Sequence, residues 1–183
     1  MSKSKSNGAE TNKEPAAGTR VFLSLGSNVG DRMDYLHQAI DGMAHLEEID
    51  VVKTSAIYET QPLEVTDQEK FLNMIAEVKT TLEPTQLLKS LKKLEKKLGR
   101  KKRRAKGPRE IDIDIVFYGQ AVMDEPDLTI PHEKFHQRKF VLFPLSHLAP
   151  EFRSPREEKT VAELLHECPD KSYIHLHGHL KNA

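Results

Sequence analysis

Asp112 and Asp114 stand one residue apart in "EIDIDIVFYG". In an extended chain alternate side chains share a face, so their carboxylates lie roughly 6.6 Å apart on one side. Ile111, Ile113, Ile115 and Phe117 take the other side. Two unpaired carboxylates that close repel each other. A divalent ion between them removes the repulsion, and hard oxygen ligands of this kind suit Mg²⁺, which keeps several waters and completes its shell with substrate phosphates. The same spacing also fits an edge strand that alternates apolar and charged residues, or a pair in which each Asp meets an Arg of the preceding loop.

That preceding loop ends a basic island. From Lys89 to Arg109 twelve Lys or Arg stand against the single acid Glu95, a local charge of +11 in a chain whose formal net charge is zero. Such an island attracts anions locally. Lys89, Lys93, Lys96 and Lys97 read as the solvated side of a helix. Arg100 through Lys106 continue beyond it, and Gly107 and Pro108 make a bend that brings Arg109 beside the carboxylates. Cations and metal ligands would then converge on one polyphosphate.

Phe71 and Asn73 form a second pair on one side of a strand. An aromatic plane beside an amide holds a flat heterocycle by stacking and edge hydrogen bonds, although Phe71 alone is also an ordinary core residue. Other chemistries find less support. "GSNVGDR" lacks the Gly-Lys-Ser/Thr ending of a phosphate-binding Walker loop, and His132, Glu133 and His136 fail the helical zinc-protease spacing. His175, His177 and His179 alternate near the C-terminus; they read as a polar tail, or as chelators of a soft metal if extended.

The elements that must position these residues follow from periodicity. Val21 to Leu25 reads as a strand stopped by "GSN", and Met33, Leu36, Ile40 and Met43 recur at helical spacing. Val51 to Tyr58 is rich in β-branched residues and reads as a second strand, with Phe71 to Thr80 a third. Pro84 opens a helix with the stripe Leu87, Leu88, Leu91, Leu94 and Leu98, which Gly99 ends. Ile111 to Tyr118 is the fourth strand. The order strand, helix, strand, strand, helix, strand predicts an α+β ferredoxin-like βαββαβ core, an antiparallel sheet with helices packed on it. A loop-rich segment and a helix over about Thr160 to Glu167 are added after it. The Leu72 and Ile113 faces would carry the helices, leaving Phe71, Asn73, Asp112 and Asp114 together on the opposite side.

Residues 1–18 lack periodicity and read as a mobile tail, 19–168 as the folded domain, and 169–183 as a C-terminal tail. Neutral net charge argues against a chain that coats nucleic acid. The single Cys168 cannot form an internal disulfide, and no apolar run is long enough for a signal core or a membrane span, so a reducing cytoplasm is expected.

"FLSLGSNVGDR", "YETQPLEVTDQEKFLNMIAEV", "LLKSLKKLEKKLGR", "GPREIDIDIVFYG" and "LTIPHEKFHQRKFVLFPLSHLAP" follow one another here. In that order they resemble the 6-hydroxymethyl-7,8-dihydropterin pyrophosphokinase family of the folate pathway, over about Arg20 to Glu167. The resemblance implies transfer of the terminal diphosphate of ATP to the pterin hydroxymethyl group, with release of AMP. It implies two Mg²⁺ ions on Asp112 and Asp114, and arginines Arg100 and Arg109 stabilising the transferred group. It implies a pterin between Phe71 and Phe140, read at its edge by Asn73 and by backbone near Thr60 and Leu63. For ATP it implies Lys92, Glu95, Lys102, Arg109, Ile115, Leu128, Thr129, His132 and Arg138. Three mobile loops would surround the site, near 26–31, 61–70 and 101–108. The chain departs from the family pattern where Lys106 replaces a tryptophan before "GPR", where Asp127 replaces an arginine, and where Glu133 replaces a tyrosine.

Small-molecule substrates, no nucleic-acid or membrane partner and a monomeric state complete the expectation. An RNA-binding ferredoxin-like module is the contrasting reading. It is opposed by Asp112 and Asp114 at the strand centres, which would repel RNA phosphates, and by the missing Lys/Arg-Gly-aromatic signature. An inactive relative retained as a partner-binding subunit is a third, opposed by the intact carboxylates.

Overall fold

The computed structural model describes residues 17–181; the tail expected over 1–18 lies, through residue 16, outside the described residues. The chain runs β1 (Thr19–Ser27), α1 (Arg32–Ala44), β2 (Ile49–Thr54), β3 (Ile57–Thr60), β4 (Phe71–Thr80), α2 (Pro84–Lys97) and β5 (Asp112–Tyr118). It continues through β6 (Met123–Glu125), β7 (Leu128–Ile130), a 3₁₀ turn (Phe135–Gln137), α3 (Lys139–Leu148), α4 (Val161–Glu167) and β8 (Ile174–Gly178).

Local chemistry sets the helix ends. The Asp31 carboxylate accepts the Asp34 N–H and starts α1, while Thr160 and Glu163 cap α4 reciprocally. Pro84 opens α2, and Gly99, at a φ of 96°, takes the left-handed conformation that stops it.

The main sheet is antiparallel throughout, in the order β5-β1-β4-β3-β8, with β2 also on β4. This is the ferredoxin-like arrangement the sequence predicts. One face carries Leu23, Leu25, Met74, Ala76, Ile113 and Ile115, packed with Leu36 and Met43 of α1 and Leu87 and Leu91 of α2. Each Leu, Ile or Met among them stabilises the fold by about 1.5–3 kcal/mol when fully buried. The other face carries Phe22, Ile75, Val116 and Phe117 under Val141, Leu142 and Leu145 of α3 and Val161 and Leu164 of α4. Helices α3 and α4 cover only part of that face. Ser24, Gly26, Phe71, Asn73, Asp112 and Asp114 line a pocket in the rest.

The structure departs from the sequence reading in four places. The single strand expected over Val51–Tyr58 is two, because Ser55 turns the chain between them: its Oγ accepts the Ile75 N–H and its own N–H donates to the Ile75 carbonyl. Strand β2 then pairs with the far half of β4 and β3 with the near half. Phe117 is not on the face of Ile113 and Ile115. Phe22 pairs with Phe117 and Leu23 with Ile115, so Val116 is an extra residue in β5. That bulge turns Phe117 over to meet Phe22 edge-on. The loop-rich segment contains a ten-residue helix, α3, with Pro144 inside it. Lastly, the segment read as a C-terminal tail supplies β8, because the outer edge of β3 offers unpaired backbone groups that Ile174–Gly178 satisfies.

Candidate active site

The register of β1 assembles the site. Gly26 pairs with Asn73 on one side and Asp112 on the other, and Ser24 pairs with Asp114. Heterocycle-type and charge-type residues therefore lie on the two strands that flank β1, on one open sheet face. A Cβ at Gly26 would stand 2.8 Å from Asn73 Oδ1, so the bare backbone is what lets the amide lie across the floor. The resulting pocket, about 190 Å³, is lined by Thr60, Leu63, Phe71, Asn73 and Phe140 together with Arg109, Asp112, Asp114 and Arg138, Arg109 lying over the Phe71 ring at 5.9 Å and Arg138 over the Phe140 ring at 5.7 Å. Asn73 is buried and donates to Thr60 Oγ1 at 2.6 Å, which fixes the plane of its amide.

The two aspartates face the same way but have different partners. Asp112 accepts from Arg100 Nη1 and from Arg109 Nη1, each at 2.7 Å. Asp114 has no arginine within ion-pair distance; Lys92 Nζ stands 4.0 Å from one oxygen of each carboxylate. Thus Asp112 realises the arginine-paired alternative and Asp114 does not. Burial works against the Asp112 charge, yet Arg109, Lys92 and Arg100 outweigh it and hold the group well below the usual carboxylate range. Asp114 is pushed up, by burial first and then by the Asp112 carboxylate beside it. Asp112 is neutralised by its arginines, and Asp114 beside it meets a like-charge repulsion of the kind a divalent cation removes. Among the described residues no three or more His, Cys, Asp or Glu gather as metal ligands, and Asp112 and Asp114 form a donor set of two carboxylates. That donor set fits Mg²⁺, whose remaining ligands are water and phosphate. It also leaves His175, His177 and His179 without an assembled soft-metal site.

A second depression adjoins the first behind Arg109, lined by Lys92, Glu95, Arg100, Lys102 and the loop to Pro108. Buried Glu95 organises it. Its carboxylate accepts the Ile113 N–H at 2.7 Å, Lys92 Nζ at 3.0 Å and Arg100 Nη1 at 2.7 Å. Glu110, also buried, accepts Arg103 Nη1 at 2.7 Å and pins the start of the basic loop. Asn28 holds its end: Arg109 N–H donates to Asn28 Oδ1 at 2.9 Å, and Asn28 N–H to the Arg109 carbonyl at 3.1 Å. Gly26, Asn28, Glu64 and Glu110 escape sequence reasoning. Only the "LGSN" interruption marks the first two.

Of the residues implied for ATP, Lys92, Glu95, Lys102 and Arg109 come together in the basic depression, and Arg138 reaches the first pocket. Ile115 and Leu128 bury their side chains in the core, which leaves them backbone groups to offer. Thr129 and His132 line neither pocket. His132 Nδ1 accepts the Lys134 N–H, and burial, then nearby Arg138, holds the imidazole neutral with its pKa lowered to about 4.

A family model described as 7,8-dihydro-6-hydroxymethylpterin-pyrophosphokinase (HPPK) matches residues 22–150. The 2-amino-4-hydroxy-6-hydroxymethyldihydropteridine pyrophosphokinase of Pseudomonas aeruginosa is 37% identical over 159 residues, covering 87% of this chain and 98% of that protein. Its namesake in Bacillus subtilis is 39% identical over 143 residues, 78% of this chain and 84% of that protein. The folic acid synthesis protein fol1 of Pneumocystis carinii is 41% identical over 150 residues, 82% of this chain. The chain spans about a fifth of the length of the two fungal fol1 proteins it matches, 20% and 22%. The fold is also that of a crystal structure of wild-type Plasmodium falciparum HPPK-DHPS, with a TM-score of 0.65 at 15% identity over 81% of this chain and 44% of that one. Among the described residues no helix is long and apolar enough to cross a membrane.

Proposed function

The chain belongs to the 7,8-dihydro-6-hydroxymethylpterin-pyrophosphokinase family, and from that premise we propose that it transfers the terminal diphosphate of ATP to the hydroxymethyl group of 6-hydroxymethyl-7,8-dihydropterin, with release of AMP. The observation that carries the reading is the single pocket over the open sheet face, which Phe71, Asn73, Asp112 and Asp114 line from the sheet with Phe140 of α3 and Arg109 of the basic loop.

In this reading Phe71 and Phe140 sandwich the pterin, Asn73 reads its edge, and backbone near Thr60 and Leu63 completes the contact. The hydroxymethyl oxygen then points along the row from Asn73 through Gly26 to Asp112. It attacks the β-phosphorus of ATP; the bond from that phosphorus to the α,β-bridging oxygen breaks, its electron pair leaves with AMP, and the hydroxyl proton passes to water. Asp112 and Asp114 would hold two Mg²⁺ ions, whose chemistry when bound is to neutralise phosphate charge and acidify the attacking hydroxyl. Arg100 and Arg109 transfer their donors from Asp112 to the phosphates. Lys92 and Lys102 bind the chain of phosphates, while Glu95 keeps Arg100 and Lys92 aimed. Thr129, His132, Arg138 and the backbone of Ile115 and Leu128 form the nucleotide side. Catalysis comes from positioning and charge stabilisation and needs no strong protein base.

The catalytic domain is assigned to residues 19–168, with β8 as an added edge. The proposal includes a cytoplasmic monomer acting on small molecules, without a nucleic-acid or membrane partner; the zero formal net charge argues against coating of nucleic acid. The test is chromatography of AMP formed from ATP, Mg²⁺ and the hydroxymethyldihydropterin, with each component omitted in turn. AMP should require all three and the protein. AMP formed without the pterin, or none with all present, would overturn the reading.

A further inference from the structure

Two ion pairs, Lys106 with Glu64 and Arg104 with Asp67, cross between the two loops that wall the first pocket, and Lys134 reaches Glu64 from the segment before the 3₁₀ turn. Lys106 Nζ lies 2.9 Å from Glu64 Oε2, and Lys134 Nζ lies 3.5 Å from Glu64 Oε1. Arg104 Nη2 lies 2.9 Å from Asp67 Oδ1. The Gln68 side-chain amide adds a bond to the Lys106 carbonyl at 3.1 Å, and also donates to the Val65 carbonyl within its own loop. Leu63, Glu64, Val65 and Gln68 from one loop and Lys106 from the other all line the pocket. Its outer wall is therefore continuous only while the loops stay joined.

Lys106 is a costly choice at its position. Its φ is 58°, in the left-handed region where a lysine is strained and a glycine is not. The Gly107 N–H closes that turn on the Arg104 carbonyl at 3.1 Å. A strained conformation that aims a charged side chain at a carboxylate points to a use for that side chain. The Glu64 carboxyl is held below its ordinary range, chiefly by its hydrogen bond from Lys106.

We propose that Glu64, gripped by Lys106 and Lys134, is an electrostatic clasp that closes the outer wall of the pterin pocket, making Glu64 and Lys106 positioning residues for that substrate. The inference rests on the pterin reading above. Its signature is unusual: 6-hydroxymethylpterin is uncharged at neutral pH, yet its affinity should fall with salt, because the screened charges are the protein's own. Half-exposed pairs are individually weak, so the effect is moderate.

The test is titration of 6-hydroxymethylpterin, followed by its own fluorescence, into the full chain and the variants Glu64→Gln, Lys106→Met, Lys106→Arg and Glu64→Gln/Lys106→Met. Each neutralising single variant should raise Kd about twofold to fivefold, Lys106→Arg should stay near the parent, and the double variant should be no weaker than Glu64→Gln. Raising salt from roughly 20 to 300 mM should weaken the parent and leave Glu64→Gln nearly unchanged. Unaltered affinity in Lys106→Met, or losses that multiply in the double variant, would overturn the clasp, the latter because each side chain would then be meeting the ligand independently. Hydrogen exchange over 103–109 separates this failure from failure of the pterin reading. Without any ligand, Glu64→Gln should speed exchange there if the clasp exists and leave it unchanged if it does not, whether or not the parent binds the pterin.

Discussion

Arg100 Nη1 lies 2.7 Å from Asp112 Oδ1 and the same distance from the buried Glu95 carboxylate, so one guanidinium nitrogen ties the floor of the basic depression to the aspartate pair. Removing one charge of a fully buried ion pair costs about 3–5 kcal/mol; here Arg100 keeps Asp112 and Lys92 is part-exposed, so the loss is smaller, about 1–3 kcal/mol. Glu95→Gln should therefore lower the thermal midpoint, by roughly 2–12 °C for a chain of this size. It should also raise the KM for ATP more than that for the pterin, because Lys92 and Arg100 lose their common anchor. Calorimetric melts and initial rates at varied ATP check both. An unchanged midpoint would contradict the anchoring role.

Asp114→Asn should behave differently. The Asp114 carboxyl is destabilised by its surroundings in the metal-free protein, so neutralising it relieves repulsion and the melting temperature should hold or rise slightly. Turnover, by contrast, should fall by at least about a hundredfold, the scale seen when a preorganised charge contact at a reacting centre is removed. Melting without Mg²⁺ and AMP production with it report the two effects separately. Near-normal turnover would remove Asp114 from the metal site.

Phe71→Ala should weaken pterin binding by about 1–3 kcal/mol, the scale of losing one stacked ring, and should change ATP binding much less. Phe71 carries the guanidinium of Arg109 over its ring at 5.9 Å, so a small nucleotide effect through Arg109 is expected. Calorimetric titration with each ligand would expose the opposite ranking.

His132 sets an acid limit. Its pKa is lowered to about 4 in the fold, against about 6.5 in an unfolded chain. Above pH 6.5 both states are neutral and the residue adds no pH dependence. As the pH falls from there toward 4 the unfolded state takes up the proton and the folded state resists it, so stability is lost across that window. The loss is about 2–3 kcal/mol at pH 4.5. Because Asp114, raised in the fold, acts in the opposite direction over the same window, the check is comparative: between pH 7 and pH 4.5 in urea unfolding the parent should lose about 2–3 kcal/mol more than His132→Gln.

Much of this site was legible because period two survives in the right places. Phe71 and Asn73 lie on β4 before any irregularity, and Asp112 and Asp114 lie on β5 before its bulge, so alternation alone put all four on one face. Phe117 defeated the same rule, since a bulge inserts a residue without marking it in the sequence. Helix α3 was hidden by Pro144, which reads as a break although a helix packed on both its Val141 and Leu145 positions tolerates it. Strand β8 was hidden by its histidines, because an edge strand needs pairing partners more than an apolar pattern. Glu64 and Glu110 were invisible for a further reason: contacts between loops have no period, and a carboxylate's partner is fixed only once the chain has closed.

The extra residue at Val116 makes β5 two instruments on one string. Before it, even-numbered side chains look out to substrate; after it, Phe117 joins the aromatic cluster with Phe22 and Phe135 that seats α3 and α4. Deleting one residue there would force a choice: either the aromatic half keeps its seat and the aspartates turn into the oily layer beneath, or the aspartates stay and the roof loses its footing. Length variation is thus forbidden at a point where substitution alone would look harmless.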